Sequence, residues 1–189
     1  MKKNIFKTTV LSSFLLGILS IALMPTMQSC KKDEVAAATL YDSLGGTTMV
    51  SDPTHPGTMI EKGRLGIRSV VDSTIFVIAG DTAINDQFTV LLAEVTSGNT
   101  SGLTTLSKNL TDFFCVATGA KNFTYGGKDM VAAHDPAQNP RMGSKADSHD
   151  FDVFVADLVK GAQQVGLPND LIGRVGRVVN TTRSQVVQR

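Results

Sequence analysis

Residues 100 to 118 place Leu103, Leu106, Leu110, Phe113, Phe114 and Ala117 on a single helical face. A strand cannot bury that set together, because it sorts its side chains with a period of two. Gly119 follows where helices commonly stop, and Ser107, Lys108, Asn109 and Asp112 read as the solvent side. The same period recurs three times. Ile67, Val70, Val71, Thr74, Ile75 and Ile78 share a face before Gly80, and Phe151, Phe154, Val155, Leu158, Ala162 and Val165 share one before Gly166. Leu171, Ile172, Val175, Val178, Val179, Thr182 and Val186 follow Pro168, which can open a helix at its first position. Helices are therefore expected over about 64–79, 100–118, 148–165 and 168–187, and the fold class is all-α.

Between these stretches the chain is punctuated by breakers. Thr39 can cap a short helix pinned by Leu40 and Leu44 and stopped by Gly45 and Gly46. Residues 47 to 63 carry Pro53, Pro56, Gly57 and Gly63 and read as an irregular excursion, with His55 solvated between its prolines. Asp81 to Phe88 reads as a short capped helix with Ile84 and Phe88 one turn apart. The run HDPAQNPRMGSKADSH after residue 133 reads as loop. No strand is expected.

The first thirty residues form an address. Lys2, Lys3 and Lys7 precede an apolar run from Val10 to Met24, and Ser29-Cys30 closes it with a small residue before cysteine. The apolar run is short of the ~20 residues that a bilayer span requires, and the junction resembles the lipobox of bacterial lipoproteins. That resemblance implies a signal peptide over 1–29, an acylated Cys30 with a flexible tether over 30–38, and a domain over 39–189. The protein is then exported and membrane-anchored, facing the periplasm or the cell surface. Cleavage removes three of the eighteen basic residues and none of the seventeen acidic ones, leaving 15 − 17 = −2. Nucleic acid is not an expected partner of such a body. Cys115 is the remaining thiol, so the domain must be stabilised by its core rather than by an internal disulfide.

Chemistry concentrates between Phe113 and His134, FFCVATGAKNFTYGGKDMVAAH. An apolar helix ends, a glycine-rich loop bends the chain, and one helical turn delivers a histidine with Met130 one turn before it. Neutral imidazole is the commonest metal ligand near pH 7. His55, His134 and His149 lack the spacing of a zinc site. A Cys115–His134 nucleophile pair has no third orienting group, and no strand precedes Gly126-Gly127-Lys128 as a phosphate loop would need. Haem asks for one histidine and a broad apolar slot that excludes water. Leu106, Leu110, Phe113 and Phe114 with Thr74, Ile75 and Ile78 supply candidates for that slot, and Lys108 or Lys121 for the propionates. The same stripes also suit plain core packing.

Five motifs in order resemble the truncated haemoglobins, their first group especially. They are LYDSLGG at 40–46, D-x8-D-x6-F from Asp72 to Phe88, FF-x-x-A-x-G from Phe113, Y-x-G with M-x-x-A-H ending at His134, and GLPNDLI at 166–172. The resemblance spans about 40–189 and implies a two-over-two helical sandwich around haem b, with His134 as the iron ligand. It further implies that Phe88, Tyr125 and Met130 join Ile75, Leu106, Leu110, Phe113 and Phe114 around the cofactor.

Three positions depart from the pattern. Ile75 stands where the family commonly has its distal tyrosine, with Thr74 for the preceding phenylalanine, and Leu110 stands where glutamine is frequent. Residues 47–63 and the loop after His134 read as insertions. The implied function is binding of a diatomic gas (oxygen, nitric oxide or carbon monoxide), with oxygen held loosely because the usual donors are missing. A ligand-binding protein is favoured over a nitric oxide dioxygenase or peroxidase-like enzyme, which would add a reductase as partner. The alternative is a globin-fold surface lipoprotein without haem that acts as an interaction module.

Overall fold

The computed structural model describes residues 37–189; the signal segment 1–29, Cys30 and most of the tether lie outside the described residues. The domain starts with α1 (Leu40–Ser43), capped reciprocally by Thr39 and Asp42. Gly45 and Gly46, at φ 124° and 58°, turn the chain away from it.

Residues 47–63, read from sequence as irregular, contain an antiparallel hairpin of β1 (Met49–Ser51) and β2 (Met59–Glu61). Three-residue strands are too short for their alternation to register. The intervening turn is fixed by Asp52, whose carboxylate accepts two hydrogen bonds from Arg68 at 2.7 and 3.1 Å. That guanidinium, with the Thr54 and His55 groups around it, holds the Asp52 carboxyl well below the ordinary carboxylate range. His55 itself is largely exposed.

The central helix is α2 (Lys62–Gly80), which packs against both α4 (Ser101–Ala117) and α6 (Ser148–Gln164). It buries Ile67, Val70, Val71, Thr74 and Ile78, five of the six residues that the period assigned to its inner face. The α2–α6 crossing is tight at Gly161, where an added Cβ would lie 2.7 Å from the Thr74 backbone nitrogen. Helix α6 packs in turn on α7 (Asn169–Asn180), giving two helical pairs around a core that includes Phe114, Phe151, Leu158, Ile172 and Val175.

Several boundaries differ from expectation. The segment from Asp81 is a turn followed by a 3-10 helix at Asn85–Phe88, because the Asp81 side chain caps Ala83 rather than starting a longer helix. A further helix, α3 (Thr89–Thr96), continues from it. The last helix, expected over 168–187, breaks at Thr181 and Thr182, whose hydroxyls bond back to the Val178 and Val179 carbonyls; α8 (Arg183–Val186) follows. Pro168 sits just before α7 rather than inside it. Gly119 and Gly166 terminate helices at φ 101° and 76° as expected, whereas Gly80 is the last helical residue and needs no left-handed backbone. Val165 is exposed, not core, and Asp112 is buried rather than solvated.

Candidate functional site

A cavity of about 410 Å³ opens among α2, α3, α4, α6 and the turn around His134. Its lining is dominated by apolar side chains, and it contains every residue proposed from sequence as a cofactor contact: Ile75, Phe88, Leu106, Leu110, Phe113, Phe114, Tyr125, Met130 and His134. The helical face of α4 turns toward it because a run of Leu and Phe at 3.6-residue spacing has no other apolar surface to meet. Phe113 packs edge-on against both Phe114 and Tyr125, with ring centres 5.3 and 6.0 Å apart.

The histidine is delivered by α5 (Met130–Ala133), a single turn capped by the Asp129 carboxylate on the Ala132 amide at 2.9 Å. The His134 ring nitrogen Nδ1 lies 2.8 Å from the Met130 carbonyl oxygen. A carbonyl only accepts, so Nδ1 carries the proton and Nε2 keeps its lone pair. Burial pushes the imidazole below its ordinary pKa, although the Met130 contact works against that shift. The ring is then neutral near pH 7, the form that binds a metal.

Most polar side chains on the cavity wall are already engaged. The Thr74 hydroxyl donates to the Val70 carbonyl at 2.8 Å, and the Tyr125 hydroxyl to the Lys128 carbonyl at 2.6 Å. Gln87 was not foreseen as a site residue. It is buried and lines the cavity, but its amide donates to Ser144 and Asp150 at 2.9 and 3.3 Å and accepts from the Ser144 backbone at 3.2 Å. Thr74, Ile75, Leu106 and Leu110 therefore offer no free donor, whereas Asn109 beside Leu110 also lines the cavity. Lys108 pairs with Asp112 at 2.7 Å, and neither it nor Lys121 reaches the cavity; the cations that line it are Lys128 and Arg141. Arg141 is also paired with Glu94 at 3.1 Å.

The loop after His134 is a strap across one edge of the cavity, to which it contributes Asn139, Arg141, Met142 and Ala146. Gly143 donates its N–H to the Gln87 carbonyl at 2.9 Å and is pressed so close to the Asp86 carbonyl that a side chain there would collide. No cluster of three or more His, Cys, Asp or Glu fit to hold a bare metal ion occurs among the described residues. One imidazole facing an apolar slot suits an iron that brings its own four equatorial nitrogens, so haem fits the donor set.

No family model matches the chain, and no curated protein matches it. Solved structures do. The truncated hemoglobin of Tetrahymena pyriformis in its Fe(III) form superposes with a TM-score of 0.57 at 18% identity, over 80% of this chain and 100% of that one. The 2/2 hemoglobin of Synechococcus sp. PCC 7002, solved in the cyanomet state with covalently attached heme, superposes with a TM-score of 0.56 at 22% identity over the same shares. The chain has the truncated globin fold.

Proposed function

We propose that the protein binds haem through His134 and uses the iron to bind a diatomic gas. The observation that carries this reading is the convergence of nine sequence-derived residues on one cavity, with a neutral imidazole whose Nε2 is free. The bound haem would supply an iron with one coordination position left open. The chain's own part is to hold that iron through His134, to exclude water with Leu106, Leu110, Phe113 and Ile75, and to meet the propionates with Lys128 and Arg141.

The fit to the two haemoglobin structures supports the same cofactor. The gas is selected by what the wall lacks. A hydrogen bond to a polarised ligand contributes about 1 kcal/mol, roughly fivefold in dissociation rate. Ile75 and Leu110 stand where truncated haemoglobins commonly have donors, and Thr74, Gln87 and Tyr125 have theirs engaged elsewhere, so oxygen loses the term those positions would supply while carbon monoxide, which is less polarised, loses little. Oxygen is expected to leave or oxidise the iron faster than in globins with distal donors, and the ferrous carbon monoxide complex to form readily.

The test compares His134→Ala with His55→Ala and His149→Ala. The two control histidines lie outside the cavity lining. After reconstitution with haem, His134→Ala should lose or severely weaken retention, and its Soret and carbon monoxide spectra should collapse, while the controls match the parent. An unchanged spectrum for His134→Ala would instead favour the haem-free interaction module.

A further inference from the structure

The turn that carries His134 packs Ala132 and Met130 inward but has few hydrogen bonds to hold it. Helix α5 is four residues long, and residues 120–129 before it make no regular structure. Among the described residues its backbone is tied beyond residues 125–139 by one hydrogen bond, from Gln188 Nε2 to the Val131 carbonyl at 2.8 Å. That same carbonyl accepts the His134 backbone N–H at 3.2 Å, so Gln188 holds the atom on which the histidine hangs.

Gln188 is itself fixed. Its backbone N–H donates to the Ala146 carbonyl of the strap at 2.9 Å, and Val187 bridges to Ala146 beside it. Arg189 next along the chain donates to the Asp150 carboxylate at 3.1 Å, the group that also accepts from Gln87 on the cavity wall. Residues 187–189 thus join the histidine turn, the strap and the wall beyond them into one hydrogen-bonded brace.

We infer that Gln188 is a positioning residue for His134: its side-chain amide anchors the α5 backbone and so sets where the imidazole sits in the cavity. The consequence for iron rests on the proximal-ligand reading above; the consequence for the turn does not. An iron–histidine bond is sensitive to how its ligand is oriented by groups behind it, and a one-turn helix cannot supply that orientation alone.

The test uses the full chain with Gln188→Glu, which keeps the shape but removes the donor, and Gln188→Lys, which keeps an N–H donor of similar reach. Gln185→Glu places the same charge on the same segment without touching α5. In the haem-free protein, amides at Ala133 and His134 should exchange roughly tenfold faster in Gln188→Glu, the loss expected for one hydrogen bond opening a local structure. Gln188→Lys should restore most of the protection, and Gln185→Glu should change nothing. In the ferrous haem protein, the iron–histidine stretching band of Gln188→Glu should shift or broaden.

Exchange in Gln188→Glu within about twofold of the parent would overturn the brace, since a hydrogen bond worth having exceeds that margin. So would equal loss of protection in Gln188→Lys, which would point to general loosening of the segment. If His134→Ala keeps the iron–histidine band, the proximal reading fails, and the exchange result still decides the brace.

Discussion

Cys115 shows how far one side chain can depart from its usual chemistry. Its sulfur is fully buried, 3.8 Å from an Arg64 guanidinium nitrogen that also bonds Asp112 at 2.7 Å. Burial pushes the thiol up to about 11, and the nearby Arg64 charge only partly offsets it. In the unfolded chain the thiol ionises near its ordinary value of 9.0. The folded state therefore holds a proton that the unfolded state has released, and stability falls as pH rises through that window. Over two pH units the loss is on the order of 3 kcal/mol. Tyr41, whose phenol burial and the Glu61 carboxylate also raise, adds to the same alkaline limb. Urea unfolding at about pH 8, 9, 10 and 11 should show this decline, and Cys115→Ala should remove most of it below about pH 10, leaving the Tyr41 part above. A parent curve flat across the range would show that the thiol ionises freely. The period along α4 does not assign Cys115 to its apolar face, and the burial comes from packing that one helix does not reveal. Asp112 sits on the polar side of the same helix and looked solvated. It is buried because Arg64 comes to it from another helix, and a periodicity argument along one helix cannot see that partner. Burial raises the Asp112 pKa, while hydrogen bonds from Lys108 and Arg64 outweigh it and hold the carboxyl below the ordinary range.

At the scale of elements, the α2–α6 crossing decides where the cavity wall stands. Gly161 lies inside a helix, where glycine costs about 1 kcal/mol relative to alanine. That cost is offset by closeness: an alanine Cβ would lie 2.7 Å from the Thr74 nitrogen and 2.8 Å from its Cα. Backbone atoms cannot swing aside as a side chain can, so Gly161→Ala must push the helices apart. Overpacking of this kind costs 1–3 kcal/mol, roughly, and should exceed the propensity gain, leaving a net loss of about 1 kcal/mol. The urea midpoint should fall with an unchanged slope; a stabilised variant would mean that the crossing is looser than described. The long helices were legible because each carries five or more apolar residues in phase. The hairpin, α3 and the 3-10 turn were not, since three to eight residues give too few repeats to fix a period. The strap read as loop and is loop, but its role depends on Gly143 and Ser144 meeting Gln87, a contact across 57 positions in sequence. Gln87 lies within the stretch read from sequence as a short capped helix, and nothing local marks it as buried.

At the scale of the whole molecule, the domain and its proposed attachment are separable. Among the described residues no single helix is long and apolar enough to cross a membrane. One bent pair, α2 with the segment Asn85–Thr96, passes by length and composition. Most of its apolar residues, however, already line the cavity or the core, Val71, Ile75, Ile78, Leu91 and Leu92 among them, while Phe76 and Val90 are exposed. Inserting that pair into lipid would empty the pocket that the rest of the fold encloses. We propose that anchoring falls to Cys30, through acyl chains added at the junction that resembles a lipobox. Two chains together hold a protein at a bilayer, whereas a single chain of about fourteen carbons binds only marginally. Replacing Cys30 with serine should abolish fatty-acid labelling and move the protein out of the membrane fraction. The haem spectrum should not change, because His134 and the described lining of the cavity lie within residues 37–189. A Cys30→Ser protein that stays with the membrane would assign attachment to the apolar run from Val10 to Met24 as an ordinary uncleaved anchor. Release accompanied by loss of the haem spectrum would instead mean that the tether helps to form the site.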